Sequence, residues 1–144
     1  PPAVDTAAAA ALGAPKRALS VLVVDDHDIN RRTLTRMLEA FGAEVETAED
    51  ALSALAVAEE LTFDAILMDV RMPGMDGLEA SRRLRDGGAN RQTPIIAVTG
   101  AASPDEIAAC REAGMTSWVE KPVKPHDLYV ALFGDGVGGD RPAS

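Results

Sequence analysis

The chain has 144 residues, enough for one domain with a full hydrophobic core, and only 3% of them are aromatic, so aliphatic side chains must build that core. Its net charge of −9 at pH 7 argues against nucleic acid as a partner, because phosphate contacts need clustered Lys and Arg. No apolar run approaches the roughly 18 residues of a bilayer span, and the single Cys110 cannot form an internal disulfide. We therefore expect a cytoplasmic chain without membrane contact, in which Cys110 is buried rather than reactive.

The two ends of the chain differ in composition from its middle. Residues 1–18 are rich in Ala and Pro, which predicts an interdomain linker or a disordered tail, and suggests that something larger lies upstream. Residues 135–144 are rich in Gly and are expected to be flexible. A compact domain is predicted over residues 19–134.

Within that domain, short apolar runs alternate with helical patterns about five times. The predicted strands are Ser20–Val24, Ala43–Ala48, Asp64–Asp69, Pro94–Val98 and Ser117–Glu120. The predicted helices are Ile29–Phe41, Asp50–Leu61, Asp76–Asp86, one that begins after Ser103 and stops at Gly114, and one from Pro125 to about Phe133 and Gly134. This alternation requires crossover connections, so we expect a doubly wound α/β fold with a parallel sheet covered on both faces.

Two helix starts carry explicit signals. Asp28 is a plausible N-cap of the first helix, whose apolar face of Ile29, Leu34, Met37, Leu38 and Phe41 is expected to pack on the sheet. Ser103 is the predicted N-cap of the fourth helix, and Glu106 is placed to complete a capping box with it.

Four of the predicted strands run into residues that can bind a metal ion or a phosphoryl group. These are the pair Asp25 and Asp26, then Asp69, Thr99 and Lys121. Ligands of open parallel sheets bind outside the carboxyl ends of the strands, so the side chains should converge. Taken singly, each has an ordinary structural explanation, such as a turn or cap for an aspartate and a surface position for the lysine. Their joint placement at strand ends is hard to explain that way.

Converging carboxylates repel one another, and a divalent cation such as Mg²⁺ resolves the conflict with oxygen ligands. A metal ion, a hydroxyl at Thr99 and an ammonium at Lys121 together suit a phosphoryl group, because they neutralise or hydrogen-bond its oxygens. Asp69 is then the candidate nucleophile, and the product would be an acyl phosphate.

The sequence at these positions resembles the receiver domain of two-component signalling. The resemblance covers about residues 19–134 and rests on four segments, Val23-Val24-Asp25-Asp26, Met68-Asp69-Val70-Arg71-Met72-Pro73-Gly74-Met75-Asp76-Gly77, Val98-Thr99-Gly100 and Glu120-Lys121-Pro122. It implies a five-stranded sheet of order 2-1-3-4-5 and a domain that catalyses its own phosphorylation rather than a free-standing enzyme.

The resemblance also implies roles for individual residues. Asp69 would accept a phosphoryl group from a phosphohistidine, while Thr99 and Lys121 would contact it. The metal ligands would be Asp25, Asp26, Asp69 and the backbone carbonyl of Arg71, holding Mg²⁺ with Mn²⁺ or Ca²⁺ as substitutes. Lys121-Pro122 would be a cis peptide.

The family's switch couples the threonine to an aromatic residue of the last strand, and the matching residue here is Trp118. Two interpretations stay open, a side chain that swings inward and a static cover beside the fourth helix.

Further details are similar to receivers attached to hybrid histidine kinases, namely Asp28-Ile29-Asn30-Arg31 and Ala113-Gly114-Met115. The expected partners are a histidine kinase or a histidine phosphotransfer domain, including the kinase core of the same polypeptide. The family's partner surface would place Ile29, Arg32 and Arg36 near such a partner.

Three alternatives to a phosphoacceptor each fit part of the sequence. A haloacid-dehalogenase-like phosphatase would use Asp26 as nucleophile and Asp28 as acid, but it needs a further acidic pair beyond Lys121 that the sequence does not offer at a strand end. A flavin-binding module would want a Gly- and hydroxyl-rich phosphate loop where the acidic pair stands. A receiver that only binds partners, without phosphorylation, stays open.

Overall fold

Five strands alternate with five α-helices in the computed structural model, which describes residues 18–134. The strands are β1 (Ser20–Val24), β2 (Glu44–Ala48), β3 (Ala65–Asp69), β4 (Ile95–Thr99) and β5 (Ser117–Glu120). The helices are α1 (Asp28–Ala40), α2 (Ala51–Glu60), α3 (Gly77–Arg85), α4 (Pro104–Glu112) and α5 (Pro125–Tyr129), and a π-helical turn, Val130–Gly134, continues α5. The predicted elements are all present, with ends that differ by one or two residues except for the final helix, whose last turn is wider than an α-helix.

The sheet is parallel throughout and has the order β2-β1-β3-β4-β5. This confirms the predicted doubly wound arrangement. The register pairs Val24 with Met68, Asp69 with Val98, and Thr99 with Glu120. The carboxyl ends of β1, β3, β4 and β5 therefore meet along one edge of the sheet.

Helices cover both faces of the sheet and enclose two cores. Helices α2, α3 and α4 pack on one face, where small side chains such as Ala54 and Ala80 allow close approach. Helices α1 and α5 pack on the other through Leu34, Leu38 and Leu128. Strands β3 and β4 are buried along their whole length, as expected of apolar runs in a parallel sheet, whereas edge strand β2 is half exposed.

The start of α1 differs from the prediction. Asp28 is not its N-cap but its first helical residue, and His27 takes the N-cap position without a side-chain hydrogen bond to the helix. The Asp28 carboxylate instead pairs with Arg31 and Arg32 at 3.2 and 3.1 Å. Ile29 was predicted to pack on the sheet and is 75% exposed. It lies five residues before the buried Leu34, which places it about 140° around the helix from the face that packs on the sheet.

Aspartate and serine caps fix the starts of α2, α3 and α4. Asp50 accepts a hydrogen bond from the Ser53 amide at 2.8 Å, and Asp76 accepts one from the Glu79 amide at 3.0 Å. Ser103 accepts from the Glu106 amide at 3.1 Å, as predicted. The Glu106 carboxylate does not complete the predicted capping box, since it is engaged with two other side chains described below.

Hydrogen bonds from buried polar side chains connect the segments at the other end of the strands. The Asn90 side chain accepts from the Phe63 amide and donates to the Ala58 and Leu61 carbonyls, all within 2.8 Å. The Arg85 guanidinium donates to the Gly114 carbonyl at 2.8 and 2.9 Å and thereby ties the end of α3 to the loop that follows α4. These contacts hold the edge that lies away from the polar strand ends.

The predicted tail over residues 135–144 lies outside the described residues, and so does the predicted linker over 1–18 except for its last residue. Among residues 18–134, no helix combines the length and hydrophobicity needed to cross a membrane.

Candidate functional site

The strand ends bring Asp25, Asp69 and Lys121 into direct contact. The Lys121 ammonium lies 3.2 Å from Asp69 Oδ1, to which it donates a hydrogen bond, and 3.8 Å from Asp25 Oδ2. The Arg71 amide donates to Asp69 Oδ1 as well, at 3.3 Å. Both carboxylates are almost fully buried, with 0% and 1% exposure for Asp25 and Asp69.

This environment changes the proton affinity of Asp69. Burial, and next the negative charge of Asp25, raise the pKa of the Asp69 carboxyl to about 6, against the attraction of Lys121. Asp69 is thus a carboxylate that the fold desolvates and surrounds with charge. Perturbed acids of this kind are typical of functional sites rather than of structural caps.

The acidic pocket has the donor set of a hard divalent cation. Asp25, Asp26, His27 and Asp69 each offer a ligand atom, and these atoms lie within 4.8 Å of one another. One carboxylate oxygen of each aspartate is buried with no hydrogen-bond partner within the described part of the chain, namely Asp25 Oδ2, Asp26 Oδ1 and Asp69 Oδ2. Buried carboxylate oxygens without hydrogen-bond partners, on residues this close together, fit a bound Mg²⁺, which would supply the missing positive charge.

His27 belongs to this pocket, although its place in the sequence does not identify it as a ligand. Its backbone amide donates to Asp25 Oδ1 at 2.8 Å, and its Nδ1 lies 3.3 Å from Asp26 Oδ1. The Arg31 guanidinium supports the same turn by donating to the Asp25 carbonyl at 2.7 Å. The acidic pair is therefore held by contacts from the first turn of α1.

Thr99 is buried at the end of β4, but its hydroxyl does not face the acidic pocket. It donates to Glu106 Oε2 at 2.9 Å and accepts from the Ala101 amide at 3.1 Å. Glu106 Oε1 in turn accepts a 2.6 Å hydrogen bond from the Arg71 guanidinium. A glutamate in the first turn of α4 thus links Thr99 to Arg71, two residues beyond Asp69.

From the sequence, Glu106 is predicted only as a helix-capping residue, and Arg71 mainly as a source of a backbone carbonyl. The available signal for these contacts was an acidic residue in the first turn of the helix that follows β4. In this fold that turn lies beside the loop after β3, so the acid can reach residues of both segments. Helix capping was the simpler explanation of the same residue.

Trp118 lies on the surface of β5 and is 39% exposed. It borders a groove of about 700 Å³ between α4, β5 and α5, together with Ile107, Cys110 and Val130. Cys110 itself is buried, as predicted.

The turn after β3 depends on Gly77, whose amide donates to the Val70 carbonyl at 3.0 Å. A Cβ at this position would overlap the Asp69 carbonyl oxygen and crowd Met68. The Lys121–Pro122 peptide is cis, as the resemblance implied. Asp28, the acid of the phosphatase alternative, is 57% exposed and paired with arginines outside the pocket.

Solved structures share this fold. Chemotaxis protein CheY4 of Vibrio cholerae superposes with a TM-score of 0.77 at 37% identity, covering 81% of this chain and 97% of that one. The receiver domain of sensor histidine kinase PA1611 from Pseudomonas aeruginosa PAO1 gives 0.75 at 35% identity, over 81% and 95% of the two chains. That structure has a magnesium ion coordinated in its active site cleft.

Longer proteins are similar in sequence. Sensor histidine kinase RcsC of Escherichia coli K12 is 43% identical over 105 residues, which are 73% of this chain and 11% of that protein. Sensor histidine kinase AruS of Pseudomonas aeruginosa is 43% identical over 117 residues, or 80% and 12%. The chain therefore spans about a tenth of the length of these kinases.

A family model of the response regulator receiver domain matches residues 21–133. The matched span contains the acidic pocket, Asp69, Thr99 and Lys121, and this chain therefore belongs to the family of response regulator receiver domains.

Proposed function

We propose that this receiver domain accepts a phosphoryl group on Asp69 from a phosphohistidine donor. The observation that carries the proposal is the Asp69 carboxylate itself, buried, with a raised pKa, and 3.2 Å from the Lys121 ammonium at the edge of an acidic pocket. A buried carboxylate nucleophile beside a fixed cation matches phosphoryl transfer, in which positioning and charge neutralisation supply most of the catalysis.

The transfer would form a bond between an Asp69 carboxylate oxygen and phosphorus while the bond from phosphorus to the donor imidazole nitrogen breaks. The electron pair of the broken bond stays on the imidazole, which takes up a proton from solvent. Lys121 would move its hydrogen bond from Asp69 to the arriving phosphoryl group, and it would offset the negative charge that develops there.

For the metal we propose Asp25, Asp26, Asp69 and the Arg71 carbonyl as ligands, with Mg²⁺ as the natural ion and Mn²⁺ or Ca²⁺ as substitutes. The unsatisfied carboxylate oxygens of the pocket support this set. A bound divalent ion would neutralise charge on the acidic pocket and on phosphoryl oxygens during transfer.

We also propose that Thr99 and Trp118 form the switch. The Thr99 hydroxyl would move to donate a hydrogen bond to the phosphoryl group. Trp118 would then turn inward into the space that the hydroxyl leaves. The indole is partly exposed beside a groove and is not packed on all sides, which supports a side chain that can turn.

Intact mass spectrometry tests the acceptor. After incubation with acetyl phosphate and Mg²⁺, the wild type should gain about 80 Da, the mass of one phosphoryl group, and Asp69→Asn should not. Asp86→Asn is the matched control, because it removes an exposed carboxylate from the end of α3 and should retain the adduct.

The other outcomes separate the alternatives. A folded wild type without adduct under any condition would favour the receiver that only binds partners. An adduct that survives Asp69→Asn and is lost in Asp26→Asn would favour the phosphatase mechanism.

The proposed partner is a histidine kinase or a histidine phosphotransfer domain that docks on α1. Ile29 is 75% exposed, the Arg32 side chain is 70% exposed, and Arg36 is exposed on the same helix. Arg32→Glu and Arg36→Glu should slow phosphotransfer from the partner while leaving phosphorylation by acetyl phosphate unchanged. Arg83→Glu on the other face of the sheet is the control, and equal rates in all variants would contradict this docking surface.

The similarity to sensor histidine kinases supports a hybrid kinase as the parent protein, whose kinase core would then be the donor in the same polypeptide. It also supports a cytoplasmic location, where such a donor is phosphorylated. Within this scheme residues 19–134 form the receiver, flanked by a linker over 1–18 and a tail over 135–144.

A further inference from the structure

A chain of three side chains connects the phosphoacceptor loop to helix α4. Arg71 Nη2 lies 2.6 Å from Glu106 Oε1, and the Thr99 hydroxyl lies 2.9 Å from Glu106 Oε2. Glu106 is only 7% exposed, although an isolated glutamate is rarely buried. Both of its carboxylate oxygens are used, one by Arg71 and one by Thr99.

The hydroxyl of Thr99 has a single proton to donate, and that proton is directed to Glu106. The same hydroxyl oxygen accepts one hydrogen bond from the Ala101 amide, which uses one of its two lone pairs. Thr99 therefore cannot donate to a phosphoryl group on Asp69 without first leaving Glu106. The acceptor it must leave carries a negative charge, and hydrogen bonds to charged acceptors are stronger than those to neutral ones.

We propose that Glu106 is a positioning residue that holds the Thr99 hydroxyl away from the phosphoryl site and so opposes the phosphorylated conformation. This rests on the proposed function of Asp69 as the phosphoacceptor. Phosphorylation would exchange one acceptor of the Thr99 proton for another, and it would leave Glu106 paired with Arg71 alone. Because Glu106 is in the first turn of α4, the exchange would remove a hydrogen bond between that helix and β4.

The test uses beryllium fluoride with saturating Mg²⁺ as a stand-in for the phosphoryl group, with binding followed by fluorine NMR titration. Glu106→Gln keeps the size of the side chain and removes the charge that competes for Thr99. We expect it to bind beryllium fluoride about three- to tenfold more tightly than the wild type, the difference between a charged and a neutral acceptor. A merely structural role of Glu106 predicts unchanged or weaker binding.

Asp105→Asn is the matched control, since Asp105 precedes Glu106 in the same helical turn and is exposed. It removes the same charge and should leave the affinity unchanged. An equal gain in both variants would overturn the proposal, because it would show a general effect of net charge.

A double-mutant cycle tests whether Glu106 acts through the hydroxyl. In a Thr99→Val background, which removes the hydroxyl, Glu106→Gln should no longer increase the affinity. A gain that persists there would overturn the proposal in favour of a direct effect of Glu106 or Arg71 on the site.

A measurement on the wild type covers the case in which Glu106→Gln folds poorly. The carboxyl carbon-13 resonance of Glu106 should shift when beryllium fluoride binds, because the side chain loses the Thr99 proton, and an unchanged resonance would overturn the proposal. If the wild type forms neither the mass adduct nor the beryllium fluoride complex, the assignment of Asp69 fails and this proposal fails with it. A wild type that forms both, beside an unchanged Glu106→Gln, overturns only the role of Glu106.

Discussion

Replacing Asp69 by asparagine should stabilise the metal-free domain at neutral pH, although it removes the proposed phosphoacceptor. Burial and the charge of Asp25 raise the pKa of Asp69 from 3.8 to about 6. The native state therefore binds this proton more tightly than the unfolded state. The stability that it contributes is complete below pH 3.8 and is lost as the pH rises through about 6.

The size of the effect follows from the two pKa values. At about 1.4 kcal/mol for each tenfold change in proton affinity, ionising Asp69 costs the native state about 3 kcal/mol at pH 7.5. Asparagine is always neutral, so the free energy of unfolding of Asp69→Asn should exceed that of the wild type by about that amount at pH 7.5. At pH 5 the native carboxyl is mostly protonated already, and the gain should fall to about half.

Urea unfolding in the presence of a chelator measures this difference, with stability taken from the linear dependence on urea. Asp86→Asn, an exposed change at the end of α3, should show no comparable gain. Adding Mg²⁺ should stabilise the wild type more than Asp69→Asn, because a ligand stabilises the state that binds it. An asparagine variant that is no more stable at pH 7.5, or whose gain does not shrink at pH 5, would refute the reasoning.

Four further outcomes are expected. Gly77→Ala should lower the free energy of unfolding by about 2 kcal/mol or more in urea titrations, because its Cβ would overlap the Asp69 carbonyl oxygen and the turn would have to shift; an unchanged midpoint would contradict this packing. Asn90→Ala should cost about 2 to 4 kcal/mol in the same assay, since it leaves buried backbone groups without partners. The emission of Trp118, the chain's one tryptophan, should change when beryllium fluoride and Mg²⁺ are added to the wild type and stay constant in Asp69→Asn. Burial raises the pKa of the Cys110 thiol, so Cys110 should react with Ellman's reagent only after unfolding, and rapid reaction of the folded domain would show that it is accessible.

Much of the fold and the main part of the site could be predicted from the sequence because both depend on short-range patterns. Apolar runs bounded by turn residues identify buried strands, and parallel strands necessarily bring their carboxyl ends to one edge. Asp25, Asp69 and Lys121 are found together for that reason. That these side chains lie close together could be predicted without knowing how the helices pack.

The network of Glu106 could not be predicted in the same way. Its amide follows the capping pattern with Ser103, but its side chain bonds to Thr99 and Arg71 from two other elements. A long flexible side chain chooses among several partners that only the tertiary structure brings within reach. The error on Ile29 has a different cause, because its five-residue spacing from Leu34 already places it off the buried face of the helix.

Helix α4 is attached in different ways at its two ends. Beyond its last turn, the Gly114 carbonyl is gripped by two nitrogens of a single guanidinium. At its first turn, Glu106 accepts one hydrogen bond from Thr99 of β4 and one from Arg71 of the loop after β3. Loss of the Thr99–Glu106 hydrogen bond would weaken the attachment of the first turn of α4, while the contacts of Arg85 would still hold the loop beyond its last turn. Helix α4 borders the groove beside Trp118, so the width of this groove would then depend on whether Thr99 is hydrogen-bonded to Glu106.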